Sequence, residues 1–453
     1  YAYQTEADSA TKAIGHFESA IALDGQFGRA YASLAQVHMN KIRTMVMHSH
    51  MPAPPETMQA MFVIVEPLLR KAVHLEPEAG EVLAASAHYD SLQGERDRAI
   101  TNYNLALEAK PSMPMVRLEL AKLLALDREV NLAFNQYSKA LETDPLHPMI
   151  QEGFIWGLMV KGDYVDAARY SEQFFQQNQN PKFLQLALRS YVATGQYDKS
   201  LEFAEAHSAL PNIESYVNYS VIESLYFLQR YEDGDSVRQR SSEILGIGSQ
   251  ASLEVNKGVS LRDASIVYRA ADMLASAEKS RSDGDTNCAQ SQVDYWRAYG
   301  AYIEREYAKA EQYFTHADEL GFLECVGYPY SLISFLLYRT HTMQLLGDER
   351  ATAMVDQAAE LLNFFEGQGW GGSRLSLFRV ALKLVEGNFG QANAELIAMQ
   401  QQEIEPFGMI IAEPIFDDFY GNPVIESTLS LARNTFERTR NRSGNIRLAG
   451  FGL

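Results

Sequence analysis

Small, aromatic and helix-stopping residues return along this chain at one fixed step. Pro77, Pro111 and Pro145 stand 34 residues apart. Ala87 pairs with Ala121 at the same step, Ala99 with Ala133 and then Ala167, Tyr103 with Tyr137, and Ala106 with Ala140. Small residues belong where helices cross closely. The tyrosines fill the gap between units with a ring whose hydroxyl is free to stay wet. The prolines stop helices, because proline lacks an amide proton and disfavours helical geometry in the residue before it. The pattern predicts pairs of antiparallel helices, each unable to bury its apolar face alone and so obliged to stack on its neighbours.

A 34-residue period with these columns resembles the tetratricopeptide (TPR) repeat. The fold expected is an all-α TPR helix–turn–helix solenoid, a right-handed superhelix of roughly ten helix pairs. The columns are clearest over residues 1–205. Gly94-Glu95, Gly162-Asp163 and Gly195-Gln196 mark the turns between helices. The run of residues 10–39, ATKAIGHFESAIALDGQFGRAYASLAQVHM, followed by PAPPETM, is similar to the C-terminal TPR arrays of bacterial class III adenylate cyclases and winged-helix, CadC-like transcription regulators. That resemblance implies a sensing or partner-binding module joined to an effector. The chain starts at Tyr1 without Met or a signal-peptide pattern, so an upstream effector domain or anchor is expected outside it.

The expected organisation is an N-terminal block over 1–244, an irregular joint over 245–290 and a C-terminal TPR-like block with a capping helix over 291–453. An insertion carrying Pro52, Pro54 and Pro55 falls at 42–57. In the second block Ala298, Tyr307, Ala310, Phe314 and Ala317 restore the columns. Gly347-Asp348 and Gly387-Asn388 mark further turns. Arg433, Arg438, Arg440 and Arg442 suit the polar outer face of a cap.

Composition narrows the partners. The chain has 453 residues and a net charge of −19, from 39 basic and 58 acidic residues. Non-specific binding to nucleic acid or to an anionic membrane needs a basic surface, so neither is expected. No apolar run reaches the roughly 18–20 residues of a membrane span. Two cysteines, Cys288 and Cys325, flank an expected helix hairpin at the same end. A disulfide between them fits if the loops bring the Cα atoms within about 4.4–6.8 Å. Free thiols are the alternative. A bond would favour an oxidising compartment. The localisation expected is bacterial, periplasmic or cytoplasmic, with the bond tipping it to the periplasm.

Candidate chemistry is sparse. Met45, Met47, His48, His50 and Met51 in the insertion offer Cu(I)-type ligands, a remote alternative to hydrophobic plugs. The glycines of 367–372 lack the Gly-Lys-Ser/Thr and preceding strand of a phosphate cradle. Asp417-Asp418 reads as a turn feature rather than an acid–base pair. No catalytic residue, cofactor or metal site is assigned. In a TPR superhelix the first helices line the concave side, which places Gln36, His88, Lys122, Trp156, Arg189, Tyr295, Tyr299, Tyr302 and His341 in a partner-binding groove. A basic and aromatic lining suits an extended peptide carrying acidic and apolar groups. The function expected is a non-enzymatic interaction module for a protein or peptide partner. A structural subunit of a larger assembly is the alternative.

Overall fold

The computed structural model describes residues 7–49, 55–279, 286–325, 329–400, 408, 410, 413–451 and 453. Among these residues there is no strand. The helices are α1 Ala7–Leu23, α2 Gly28–Ser49, α3 Pro55–Leu75, α4 Gly80–Leu92, α5 Arg96–Ala109, α6 Pro114–Leu126, α7 Val130–Thr143, α8 Pro148–Lys161, α9 Tyr164–Asn178, α10 Pro181–Ala193 and α11 Tyr197–Ala206. They continue as α12 Glu214–Phe227, α13 Tyr231–Arg240, α14 Ile247–Leu261, α15 Ala264–Lys279, α16 Thr286–Ile303, α17 Tyr307–Glu319, α18 Phe322–Cys325, α19 Pro329–Leu345, α20 Ala351–Gly367, α21 Ser373–Val385 and α22 Phe389–Gln400. A 3-10 turn, Pro414–Phe419, and a last helix, α23 Glu426–Ser443, close the chain. The protein is an all-α, TPR-type helix–turn–helix solenoid.

The repeating columns are its packing surfaces. Ala87, Ala99, Ala106, Ala121, Ala133, Ala140 and Ala167 are all buried, and so are Tyr103 and Tyr137. The tyrosine rings sink further than the sequence suggested. Burial pushes the Tyr137 hydroxyl well up from its ordinary range. In the second half Ala298, Ala310, Phe314 and Ala317 are buried in the same way.

The turn between the two helices of a pair follows a rule that runs through most of the chain. One residue takes a left-handed conformation: Gly94, Arg128, Gly162, Gly195, Gln229, Arg262, Arg305, Gly347 and Gly387. The amide after it donates to the carbonyl five residues back, as Glu95 does to Asp90, Arg230 to Leu225 and Asp263 to Gly258. This bond satisfies a carbonyl that the helix end would leave open. Only the glycine members were legible as turns.

The chain divides into two compact units, residues 1–157 and 158–453. The first holds α1 to α7 and most of α8. The blocks read from sequence divided elsewhere, at 245–290. Those residues carry α14 and α15, a regular pair with its own left-handed turn at Arg262. Gly246 and Gly248, within that expected joint, lie at the start of α14, with Gly246 as its N-cap. The insertion at 42–57 is largely absorbed into longer helices, since α2 runs on to Ser49 and α3 begins at Pro55. His50 and Met51 lie outside the described residues, as do the side chains of Met45, Met47 and His48. Among the described residues no His/Cys/Asp/Glu group is placed to hold a metal ion, and no helix is long and apolar enough to cross a membrane.

Within the second unit the chain closes on itself. The turn at Gly162 meets the glycines between α20 and α21 backbone to backbone. A Cβ on Gly162 would lie 1.8 Å from the Gly371 carbonyl oxygen, and one on Gly372 would lie 1.9 Å from that of Gly162. Nearby, Ser373 Oγ donates to the Ala193 carbonyl at 3.0 Å. The cap helix presents the expected polar outer face, with Arg433, Arg438 and Arg442 exposed. It lies against α11 and α22, with Arg442 paired to Asp198 and Arg440 to Gln229. Cys288 and Cys325 are bonded, their Cα atoms 5.4 Å apart.

This apposition makes a paired prediction. Gly387 has φ 75° and open space around it, so Gly387→Ala costs only the left-handed strain, about 1–2 kcal/mol. Gly162→Ala adds a clash with backbone that has no flexible end to move, a further ~1–3 kcal/mol. Urea unfolding of the two variants followed by circular dichroism gives the comparison, and equal losses would remove the seam from the account.

Candidate functional site

The candidate residues lie on the first helices of their pairs, and the two units treat them differently. In the first unit the candidate residues sit on α2, α4, α6 and α8. The Gln36 side-chain amide meets His88 Nδ1 across α2 and α4, and His88 is buried. Lys122 Nζ pairs with Glu119 at 3.1 Å, an i,i+3 pair that leaves 41% of the lysine side chain exposed. Trp156 is half-buried.

In the second unit Arg189 is exposed on α10. Tyr295, Tyr299 and Tyr302 follow the inner face of α16, and His341 that of α19. Tyr299, Tyr302 and His341 are covered by the chain's own residues 413–420 rather than left open to a partner, while Tyr295 packs on Phe322 and Phe335. Tyr299, Tyr302 and His341 are buried, and Tyr295 is half-buried with its hydroxyl 2.9 Å from Ser334 Oγ.

The covering segment reads Glu-Pro-Ile-Phe-Asp-Asp-Phe-Tyr. Tyr338 donates to Glu413 Oε2 at 2.9 Å, while the Tyr299 hydroxyl lies 2.7 Å from that of Tyr338 and 3.1 Å from the same carboxylate. The Ile415 amide donates back to the Tyr338 hydroxyl at 3.3 Å. Arg262 holds Asp417 with two bonds, at 2.6 and 2.9 Å. Such a forked pair is among the strongest polar contacts a protein makes. Arg305 lies 3.2 Å from Asp418, and the Tyr302 hydroxyl 2.6 Å from His341 Nδ1. The His341 ring stacks on Phe419 with centroids 5.4 Å apart. Between the acids, Ile415 and Phe416 are 2% and 0% exposed.

Three of the four non-glycine residues in the left-handed turns reach this C-terminal arm: Gln229 to Arg440, Arg262 to Asp417 and Arg305 to Asp418. Sequence reasoning missed all of them, along with Glu413 and Tyr338. The turns carried no glycine to mark them, and partners more than a hundred residues away leave no local pattern. Asp417 and Asp418 were noticed, and they form ion pairs rather than a bare carboxylate couple.

Burial sets the electrostatics of this interior. It pushes the Glu413 carboxyl up, against the opposing pull of Arg374 and of the bonds from Tyr338 and Tyr299. It pushes Tyr299, Tyr302 and Tyr338 far up as well, and His341 down against the pull of Asp418. The phenols therefore act as neutral hydrogen-bond donors. Arg374 keeps about half of its side chain accessible, although Tyr164, Tyr330, Glu223 and Glu413 all feel its charge.

The fold and these two faces define a TPR-type helical-repeat protein. No protein-family model matches the chain, and neither does any curated protein. Among solved structures it is similar to Naa15/Naa10 bound to HypK-THB, at 12% identity and a TM-score of 0.28 over 94% of this chain and 75% of that one. It is also similar to a Rap protein complexed with competence and sporulation factor, at 11% identity and a TM-score of 0.39 over 92% of this chain and 100% of that one. At scores this low neither likeness adds to the fold described above or to function.

Glu223 on α12 provides a pH test of the interior. It accepts from Asn256 at 2.9 Å, and burial pushes its carboxyl up to about 7 against the pull of Arg374 and Arg189. A carboxyl whose folded pKa is raised stabilises most below its unfolded pKa of about 4.3, and that stability is lost as pH climbs through the folded value. Glu223→Gln removes the loss. Its melting temperature relative to the unaltered protein is expected to rise steadily from about pH 5 to about pH 8. Thermal melts that run parallel across this range would contradict the assignment.

Proposed function

We propose that the chain is a protein-interaction module that grips an extended partner segment along its inner helices and takes no catalytic part itself. The observation that carries this reading lies inside the molecule. The inner helices of the second unit and the turns after them already hold an acidic and apolar segment of the chain, wound as a short 3-10 turn, through tyrosine, arginine and histidine side chains. In the first unit the same class of helix presents Lys122, with much of its side chain exposed, and a half-buried Trp156. Tryptophan is among the usual anchors of such contacts, and Lys122 offers a positive charge to an acidic group beside it. The larger role we propose is the sensory or scaffolding region of a bacterial signalling or transcription-regulatory protein, working with an effector domain outside this chain. We further propose an oxidising compartment, because a Cys288–Cys325 bond persists only where thiols are not kept reduced.

Two measurements test this. A Lys122→Ala/Trp156→Ala variant should recover its partner at least about 30-fold less well than the unaltered chain, the loss typical of a central anchor. Equal recovery would take the site off this face. Acid-quenched, alkylated protein taken from its native cells should show no labelled cysteine by mass. Labelling of most molecules at Cys288 and Cys325 would rule out the oxidising compartment.

A further inference from the structure

The second unit treats residues 413–420 as a groove treats a ligand. Donors from three successive inner positions each meet one acid: Tyr338 on α19 meets Glu413, Arg262 after α14 meets Asp417, and Arg305 after α16 meets Asp418. Between the acids, Ile415 and Phe416 are buried as a peptide's anchor side chains would be. The two arginines come from turns where the left-handed backbone disfavours any side chain. Those side chains reach the segment instead of leaving the position to glycine.

We propose that residues 413–418 are an internal occupant of a recognition groove. The groove takes from outside only a partner segment of the same chemistry, an acid, a proline and two apolar side chains followed by a pair of acids. The internal copy keeps it shut. A tethered segment competes at an effective concentration of the order of millimolar. A free peptide of equal intrinsic affinity is therefore excluded at micromolar concentration until the tethered copy is weakened. This goes beyond the function proposed above. It concerns the second unit alone, so it can fail while partner capture through Lys122 and Trp156 stands, and the reverse.

The probe is a fluorescent peptide with the sequence of residues 413–420, titrated into the full chain and followed by anisotropy. Little binding to the unaltered chain is expected at tens of micromolar. Asp417→Asn/Asp418→Asn, changed at two partly exposed acids, should bind the peptide at least tenfold more tightly. Adding Arg262→Ala and Tyr338→Phe to that variant should abolish the gain. No gain in the first variant, or a gain that survives the second, overturns the proposal. Amide hydrogen exchange of the unaltered chain gives an answer that needs no variant to fold. The amides of residues 415–419 should open well before those of α19, and protection equal to that of α19 would make the segment a permanent part of the core.

Discussion

Among the described residues, nine reversals between paired helices rest on one residue held with positive φ and an amide that reaches five residues back to seal the end of the first helix. That small device sets the angle at which the second helix returns, and so which side chains of the first helix face inward. Glycine does this without strain, and five of the nine positions named have it. Arginine or glutamine at the others costs on the order of 1 kcal/mol apiece. At Gln229, Arg262 and Arg305 the cost is offset by contacts with the C-terminal arm. The turn thus links local backbone geometry to the way the second unit closes.

That closure combines two kinds of force. Gly162 and Gly372 let two loops meet main chain to main chain, which no residue with a Cβ permits at that distance. Around them the C-terminal arm buries Ile425, Leu429, Phe436 and Leu448 and adds polar anchors. Arg230 donates to the Ser443 and Ile446 carbonyls at 2.9 and 3.2 Å. The apolar contacts supply most of the stabilisation. The arginines fix which carbonyls and carboxylates the arm meets. Burial in this interior keeps the phenols protonated, while nearby Glu413 and Glu223 favour the charged form of Arg374.

The fold was legible because a repeat writes the same steric demand many times. Ala87 and Ala121, or Tyr103 and Tyr137, answer one packing problem in successive units, and the spacing survives any drift in the residues between them. Even where the columns weaken, Gly347 and Gly387 still mark their turns. The candidate inner-face residues were chosen on the same ground, since helix phase follows from the columns.

What the sequence determined by itself was therefore the unit: two helices, a tight turn, small residues at the crossings and a face for each side chain. These are properties of neighbours within some tens of residues. Only the tertiary structure decided what meets that face. Glu413, Asp417 and Asp418 find Tyr338, Arg262 and Arg305 across 75 to 155 residues of chain, and no local periodicity encodes such a meeting. It depends on the summed curvature of many helix pairs, which brings one end of the second unit back to the other and leaves the groove filled from within.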